Sequence, residues 1–435
     1  ANGTSLTGAR VSYFDIDVDT RMVVGAGQAY DTIYDRKGQI VTSVNQLGAL
    51  GANATALSAT RQGFQRFCSS AMFEANSFGA NRGLDDRIYF TGEESDGGSF
   101  WAVDVASNDI WAVPQFGRGG WENATLLDTG SSNKVAFALG DDRSGAPMYL
   151  YVGEKSSDPA AGFLARNGLA NGKMYVYVPG DGKTLPSEFN GDNATQNGSW
   201  VAIDNYRPDL ANTPGYDELG YASQSKLDEL SQAVGAFRYS RPEDVSTNPN
   251  APNQFVLAST GSSFDGTSDR QGTIYTFDVT FDADGNPVAG VQKIIYDGDE
   301  DPAGRIRSPD NLTWSGDGYI YVNEDRAFGV DAFTEDNPNE ASILQLRVGR
   351  ARGRGRETWE PPAVLDRSFR RYEHLEGGRL RAGHEIVEHH EHLWVGVIPP
   401  GPAGGVHPEM WELAEIPAGE TLPERELIQV VEHGG

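Results

Sequence analysis

Short apolar runs of strand length recur along the chain, and each is bounded by Gly, Asp, Asn or Pro. The runs are rich in Val, Ile, Tyr and Phe, which favour β-strands. The predicted strands are Arg10–Val18, Arg87–Thr91, Phe100–Val105, Val135–Leu139, Met148–Val152, Met174–Val178, Phe255–Ser259, Thr273–Phe281, Gln292–Tyr296 and Tyr319–Val322. Before the C-terminal tail, the one plausible helix lies near Leu227–Ala236 and is short. The pattern therefore predicts an all-β protein.

A polar template repeats among these strands. Each copy has a polar or acidic leading residue, an apolar strand that ends in a polar or acidic pair, and a Gly-rich loop before a second apolar strand. The leading residues are Cys68, Glu122, Glu243 and Asp310, and the pairs are Glu93 with Glu94, Asp141 with Asp142, Ser259 with Thr260, and Glu324 with Asp325. Repeated strand clusters indicate stacked or radial sheets, as in a β-propeller. The insertions Ser156–Asn171 and Gly180–Gly198 fall between strands and are predicted to be loops.

The template also predicts a site. In a propeller the first strand of each blade lines the central channel, so its end residues point at a common axis. Carboxylates that converge there repel one another unless cations lie between them. Oxygen ligands suit calcium, whereas a thiolate such as that of Cys68 calls for a softer metal such as iron or zinc. Each residue alone also fits an ordinary role: a buried thiol for Cys68, and turn or surface acids for the carboxylates.

Composition narrows the classes of partner. The 435 residues carry a formal net charge of −27, which repels nucleic acid and anionic membranes. A single cysteine excludes an intrachain disulfide. No stretch is long and apolar enough to span a bilayer. The chain begins at Ala1 with no signal-peptide pattern, so we expect a processed or truncated sequence. We also expect a monomer.

The C-terminal tail departs from the strand rhythm. From about Val348 the chain is rich in Arg, Glu and His, and all seven histidines lie at or after His374. His384 and Glu388 have helical i, i+4 spacing, but composition alone makes a metal site there the weaker reading. We therefore expect a domain over residues 1–347 and a divergent or poorly ordered tail over 348–435.

Several strings of the template resemble one enzyme family. RFCSSAMFEANSFG, RGLDDRIYFTGEE, FGRGGWENA, YVGEKSSDP, SRPEDVSTNPN, IIYDGDEDP and RSPDNLTW occur in that order between about Thr7 and Ile343. They are similar to the PhoX alkaline phosphatases, and especially to their long secreted relatives. Ordered matches over most of the chain are more specific than an isolated motif.

The resemblance implies a six-bladed propeller and hydrolysis of small phosphorylated substrates, chiefly phosphate monoesters and sometimes diesters, in a secreted or periplasmic protein. It implies ferric iron (Fe3+) and calcium (Ca2+), with Cys68 as the thiolate ligand of iron. By motif position the carboxylate ligands would be Glu93 or Glu94, Glu122, Asp141 or Asp142, Glu243, Asp310 and Glu324. Arg241 would clamp a phosphate oxygen, although an ordinary salt bridge is its alternative role.

Two segments usual in the family have no counterpart in this sequence. They are an early Asn-His-Glu strand, and a late Trp-Glu segment with its closing Asp-x-Gln-Ala-His strand. Their absence leaves open whether the propeller is complete and active. Two alternatives to a phosphatase therefore remain: a non-enzymatic, calcium-stabilised secreted propeller, and a lactone hydrolase that would need no thiolate.

Overall fold

The structure is a computed structural model that describes residues 8–17, 20, 22–56, 62–79, 81–300, 306–325 and 343–347, with four short strands beyond them. The chain opens with a hairpin of β1 (Val11–Asp17) and β2 (Met22–Gln28), followed by β3 (Thr32–Tyr34). Short 3-10 helices lie at Val44–Gln46, Pro114–Phe116, Pro186–Glu188 and Pro208–Leu210.

In the described chain, four up-and-down groups of antiparallel strands follow the N-terminal segment, and we call each group a sheet, although the first three also pair edge to edge within one continuous 14-stranded sheet. The first of these sheets directly follows the N-terminal segment. It consists of β4 (Phe67–Phe73), β5 (Ile88–Gly98), β6 (Phe100–Asp104) and β7 (Asp109–Ala112). Strand β3 runs parallel to β7 and covers the outer edge of this sheet. The N-terminal segment therefore closes an edge that would otherwise present unpaired backbone groups.

The second sheet is built in the same up-and-down order. Its strands are β8 (Gly119–Leu127), β9 (Lys134–Asp141), β11 (Tyr149–Glu154) and β12 (Gly172–Pro179), with the short β10 (Ser144–Pro147) in the β9–β11 connection. The insertion before β12 contains a one-turn helix, α1 (Phe163–Arg166). Strand β13 (Thr195–Ile203) pairs with β12, so the end of the predicted loop Gly180–Gly198 is in fact strand.

A short helix leads into the third sheet. Helix α2 (Gln224–Ala233) confirms the predicted helix, and the Ser223 side chain caps it by accepting from the Lys226 amide. Strand β14 (Arg238–Ser240) pairs with β10. The sheet comprises β15 (Pro242–Thr247), β16 (Gln254–Ser259), β19 (Thr273–Phe281) and β20 (Pro287–Asp297), and a small hairpin of β17 (Ser262–Phe264) and β18 (Thr267–Asp269) extends from it.

The fourth sheet contains β21 (Pro309–Trp314), β22 (Tyr319–Glu324), β23 (Ile343–Arg347) and the short β24 (Ala363–Val364). Three further short strands are β25 (Val387–His389), β26 (His392–Trp394) and β27 (Glu426–Gln429), of which β27 pairs with β1. The rest of the predicted tail over 348–435, including His374 and His384, lies outside the described residues.

The hydrophobic core lies between successive sheets. Phe90 and Phe100 of the first sheet pack with Trp121 and Phe137 of the second in one apolar cluster. A second cluster joins the second and third sheets, and a third joins β16 and β19 to the fourth sheet through residues such as Trp314. Sheets that pack face to face in chain order, with their first strands innermost, have the arrangement of blades in a β-propeller.

The structure confirms the all-β fold and each of the predicted strands, with ends that differ by up to seven residues. Neither helix in the described part of the chain has the length and apolar character needed to cross a bilayer. Four blades are described, and the expected total of six stays a prediction.

Candidate metal centre

Each of the four sheets carries a β-bulge at the same place, between its first and second strands. In the first sheet Phe67 pairs with Glu93 and Ser70 pairs with Thr91. Between these two pairs β4 therefore contains one residue more than β5. The same one-residue excess occurs in the second, third and fourth sheets, between Trp121 and Ala124, Pro242 and Val245, and Pro309 and Leu312. The first residue inside each bulge is Cys68, Glu122, Glu243 or Asp310. A bulge redirects a side chain out of the strand's alternation, and here it redirects every leading residue of the template.

Glycines let neighbouring bulges approach closely. Gly92 lies opposite the first bulge, and a Cβ there would come within 2.5 Å of the Trp121 carbonyl oxygen on the second sheet. Gly140 lies opposite the second bulge, where a Cβ would lie 1.8 Å from the Glu243 carbonyl oxygen. Any side chain at either position would therefore push the inner strands of adjacent sheets apart.

The bulged side chains meet in two groups of potential ligands. One ligand atom from each of Cys68, Glu94 and Glu122 forms the first group, and one from each of Glu122, Glu243 and Asp310 forms the second. Within each group all atoms lie within 4.8 Å of one another. Because Glu122 belongs to both groups, its carboxylate can bridge two adjacent cations.

Glu122 is the most unusual member of the cluster. It is 1% exposed, and neither of its carboxylate oxygens has a hydrogen-bond partner among the described residues. Burial raises the pKa of Glu122 well above its ordinary value, and the Glu243 and Asp142 carboxylates raise it further. A buried carboxylate is ordinarily paired or bound to a metal, so the observed isolation fits a cation ligand.

The pKa values of the other ionisable side chains in the cluster are raised for the same reasons. Burial raises the pKa of the Cys68 thiol, and the Glu122 and Asp310 carboxylates add to the effect. The pKa values of Glu243 and Asp310 are also raised, chiefly by burial, and the two side chains hydrogen-bond to each other. Two carboxyl groups can do so only by sharing a proton, which a cation in the same place would displace.

The first member of each predicted acidic pair has a different task. Glu93 accepts from the Gln65 amide at 2.8 Å and the Ser99 amide at 3.0 Å. Asp141 accepts from the Gly120 amide at 2.9 Å and is also bound by Arg143. Glu324 accepts from the Arg307 amide at 2.9 Å. Each of these carboxylates fixes the segment that leads into a bulge, and the structure does not bring them into the cluster.

The second member of each pair bonds to the segment before the bulge through its backbone amide. In all four sheets its amide donates to the carbonyl oxygen two residues before the bulged residue, at 2.7 to 3.0 Å. The Glu94 carboxylate belongs to the cluster and forms an ion pair with Arg66. The Asp142 carboxylate instead accepts hydrogen bonds from Nε and Nη2 of Arg241, at 2.7 and 2.8 Å.

Arg241 braces the third bulge. Its guanidinium donates to Glu243 at 2.5 Å as well as to Asp142, so it links the second and third sheets beside the cluster. Its backbone adopts the left-handed region with φ of 68°. Such a conformation is costly for a residue with a side chain, and it places Arg241 over the carboxylates that hold it.

A second polar ring lies directly behind the cluster. It consists of the residue that follows each leading residue: Ser69, Asn123, Asp244 and Asn311. Asp244 accepts from the Asn123 side chain, from the Leu312 amide at 2.8 Å, and from Asn311. Asn311 also donates to Ser69 at 3.4 Å. We call these four residues the inner ring; through them hydrogen bonds connect all four sheets.

The sequence located the cluster but not all of its parts. Of the predicted metal ligands, the structure brings together Cys68, Glu94, Glu122, Glu243 and Asp310, and places Asp142 and Arg241 beside them. The inner ring and Arg66 were missed. A signal for the ring was present, since every leading residue is followed by a second polar residue in CS, EN, ED and DN.

Comparison with known proteins supplies a family. Residues 62–349 match the family described as alkaline phosphatase PhoX. Among solved structures, the chain is similar to Pseudomonas fluorescens PhoX in complex with vanadate, a transition state analogue. That match has 16% identity and a TM-score of 0.48, and it covers 68% of this chain and 62% of that chain. The chain thus spans less than two thirds of that protein. Among curated proteins no match is found.

Proposed function

The chain belongs to the PhoX alkaline phosphatase family, and on that basis we propose that it is a metal-dependent phosphatase acting on phosphate monoesters. The observation that carries the proposal is the fully buried Glu122 carboxylate, which lacks a hydrogen-bond partner and is shared by two groups of ligands. If each group held a cation, the two metals would supply the electrostatic stabilisation that two-metal sites give to the attacking and leaving oxygens of a phosphoryl displacement, with Glu122 as a ligand common to both groups.

The chemistry of the donors supports a particular assignment of the metals. Cys68, Glu94 and Glu122 combine one sulfur with carboxylate oxygens, and such a mixed set suits iron. Glu122, Glu243 and Asp310 offer oxygen alone, which suits calcium. When bound, the metals would polarise phosphoryl oxygens as Lewis acids and offset the charge that develops on them.

The residues of the chain supply binding and orientation. Arg241 would donate to the equatorial oxygens of the phosphoryl group, where negative charge increases during transfer. The Asp142 and Glu243 carboxylates raise its pKa against the effect of burial, so it stays protonated at alkaline pH. The two carboxylates also hold the planar guanidinium in one orientation before substrate arrives, which lowers the entropy cost of binding.

A direct experiment is elemental analysis of freshly purified, folded protein together with an assay of phosphate release. We expect iron and calcium in the protein and turnover of a chromogenic phosphate monoester at alkaline pH. A chromogenic diester tests the second substrate class. Arg241→Gln should retain the metals while kcat falls by roughly a hundredfold or more.

The outcome separates the alternatives. Folded protein without iron or calcium would contradict the proposal. Calcium with no turnover of any ester would instead indicate a calcium-stabilised propeller without enzymatic activity. The proposal includes a location outside the cytoplasm, which a strongly acidic chain with a single cysteine is compatible with; fractionation of the producing cells tests it.

A further inference from the structure

The candidate metal centre is more open on one side than on the other. Cys68, Glu94 and Asp310, which come from the first and fourth sheets, each keep part of their residue surface in solvent, although their ligand groups themselves are largely buried. Glu122 and Glu243, from the second and third sheets, are buried. A ligand that approaches the cluster from solvent therefore meets the residues of the first and fourth sheets first.

Arg66 is the cationic residue on that open side. Its guanidinium pairs with Glu94, and its side chain is 49% exposed while that of Glu94 is 8% exposed. It lies two residues before Cys68, and its charge lowers the pKa values of both Cys68 and Glu122. Its ion pair with Glu94 places its charge beside the first group of ligands.

Arg66 and Arg241 occupy equivalent positions in the repeat, but their surroundings differ. Each lies two residues before a bulged ligand, and the carbonyl oxygen of each accepts from the second member of a pair, Glu94 or Thr260. Arg241 has a side chain that is 10% exposed and is bound by two carboxylates, Asp142 and Glu243. Arg66 retains half of its surface in solvent.

The strongly negative net charge of the protein favours a local cationic group at a site that binds an anionic substrate. With a net charge of −27, the protein repels an anionic substrate at long range. An exposed guanidinium at the open side supplies local attraction, and its planar fork matches phosphate geometry. When Glu94 binds a metal, its negative charge is shared with the cation, so its hold on Arg66 weakens and the guanidinium can turn to another anion.

We propose that Arg66 binds the phosphoryl group of the substrate as it enters the metal centre. The inference rests on the proposed phosphatase function and names a residue for its substrate-binding step. It follows that phosphate and metal binding are linked, because the Glu94 carboxylate must first be engaged by the metal.

The experiment compares Arg66→Gln with the unaltered protein. Inorganic phosphate is titrated calorimetrically into the metal-loaded proteins, and steady-state kinetics are measured with p-nitrophenyl phosphate. We expect the Kd for phosphate and the KM to rise roughly tenfold or more. The kcat should change by less than about threefold, and metal content should be unchanged. Arg66→Lys, which keeps the charge but not the fork, should give an intermediate Kd.

Arg82→Gln is the matched control. Arg82 has a 36% exposed side chain paired with Asp128. It lies in the β4–β5 connection, at the end of these strands opposite the bulge, so its removal changes the net charge equally but away from the cluster. It should bind phosphate as the unaltered protein does. Unaltered phosphate affinity in Arg66→Gln would overturn the inference. So would a loss of metal with normal affinity in the loaded fraction, since Arg66 would then serve only as the counter-ion of Glu94.

Different results would contradict the proposed phosphatase function and the proposed role of Arg66. If the unaltered protein binds phosphate, loses affinity on Arg66→Gln, and hydrolyses no ester, the phosphatase function is contradicted and the role of Arg66 stands. If the metal-loaded unaltered protein binds no phosphate, the role of Arg66 is overturned directly.

Discussion

The Cys68 sulfur and a Glu122 carboxylate oxygen lie within 4.8 Å of each other although they come from different sheets. Both residues are the first of a β-bulge, and Gly92 allows the two inner strands to approach. A thiol and a buried carboxylate at this distance raise each other's cost of ionisation unless a cation joins them. The bulges that recur from sheet to sheet therefore bring together a thiol and a carboxylate, two side chains able to bind a metal.

Replacing Glu122 by Gln should have opposite effects on the metal-free and metal-loaded protein. Without metal, the neutral amide removes a buried carboxylate that lacks a partner, so we expect stabilisation by about 1–3 kcal/mol. With metal, the bridging ligand is lost, so binding of both cations should weaken. Thermal denaturation with and without chelator, together with elemental analysis, measures both effects.

The exposed glutamate Glu229 on helix α2 provides the control, since its side chain is 68% exposed. Glu229→Gln should change neither quantity by more than about 0.5 kcal/mol. Destabilisation of Glu122→Gln in chelator would show that the carboxylate has a structural partner instead.

Replacing Cys68 by Ser should remove the soft ligand while leaving the fold intact. Serine is close to cysteine in size and Cys68 forms no disulfide, so the melting temperature in chelator should change little. Cobalt(II) added to the unaltered protein should give a thiolate-to-metal absorption band that the variant lacks. Iron content and activity should fall with it. A variant that keeps its iron and its activity would remove the thiolate from the mechanism.

The metal-free protein should lose stability as the pH rises. Burial raises the pKa of Glu122 above its ordinary value of 4.5, and Glu243 and Asp310 shift in the same direction. The native state therefore holds more protons than the unfolded state above that value. A stabilising contribution that is complete below it is lost as the pH rises through the folded-state pKa values. Melting temperatures in chelator over about pH 5 to 8 should fall, and saturating metal should flatten the slope. A flat slope in chelator would contradict the raised pKa values.

The inner ring should control the affinity of the centre for metal. Asp244→Asn introduces an amide N–H that faces the Asn123 amide, so the hydrogen bond between these two side chains should be lost. We expect calcium affinity to fall by roughly ten- to a hundredfold. The double variant Asn123→Asp with Asp244→Asn restores one donor and one acceptor and keeps the charge, so it should recover part of the affinity. Equal losses in the single and double variants, measured by calcium titration, would assign Asp244 a general role in folding alone.

How far the sequence could predict this site depends on what distinguishes one acid from its neighbour. The strands, the helix and the recurring template follow from apolar periodicity, and the structure confirms them. Within a pair such as Glu93 and Glu94, however, the two residues are chemically alike. Their roles separate only because strand alternation turns one toward the backbone of its own sheet and the other toward the axis. The bulges that set this alternation depend on pairing between strands, which a local pattern does not contain.

The loop prediction over Gly180–Gly198 was wrong at its end for a similar reason. Strand β13 begins at Thr195 because its first residues, 195–198, pair with β20, and it continues to Ile203 by pairing with β12. Its exposed, polar start, with Thr195 and Asn197, resembles a loop in sequence. Pairing with two neighbouring sheets overrides this local preference.

Because the same bulge occurs in each blade, every blade positions a side chain of the site in the same way. A chain that lengthens by duplicating one blade acquires a further inward-facing ligand with each copy, together with the hydrogen bonds that aim it. The number of potential ligand positions near the axis therefore increases with the number of blades. Individual copies can then diverge, as the third has done by carrying Ser259 and Thr260 where the others carry acids, without loss of the architecture that positions the remaining ligands.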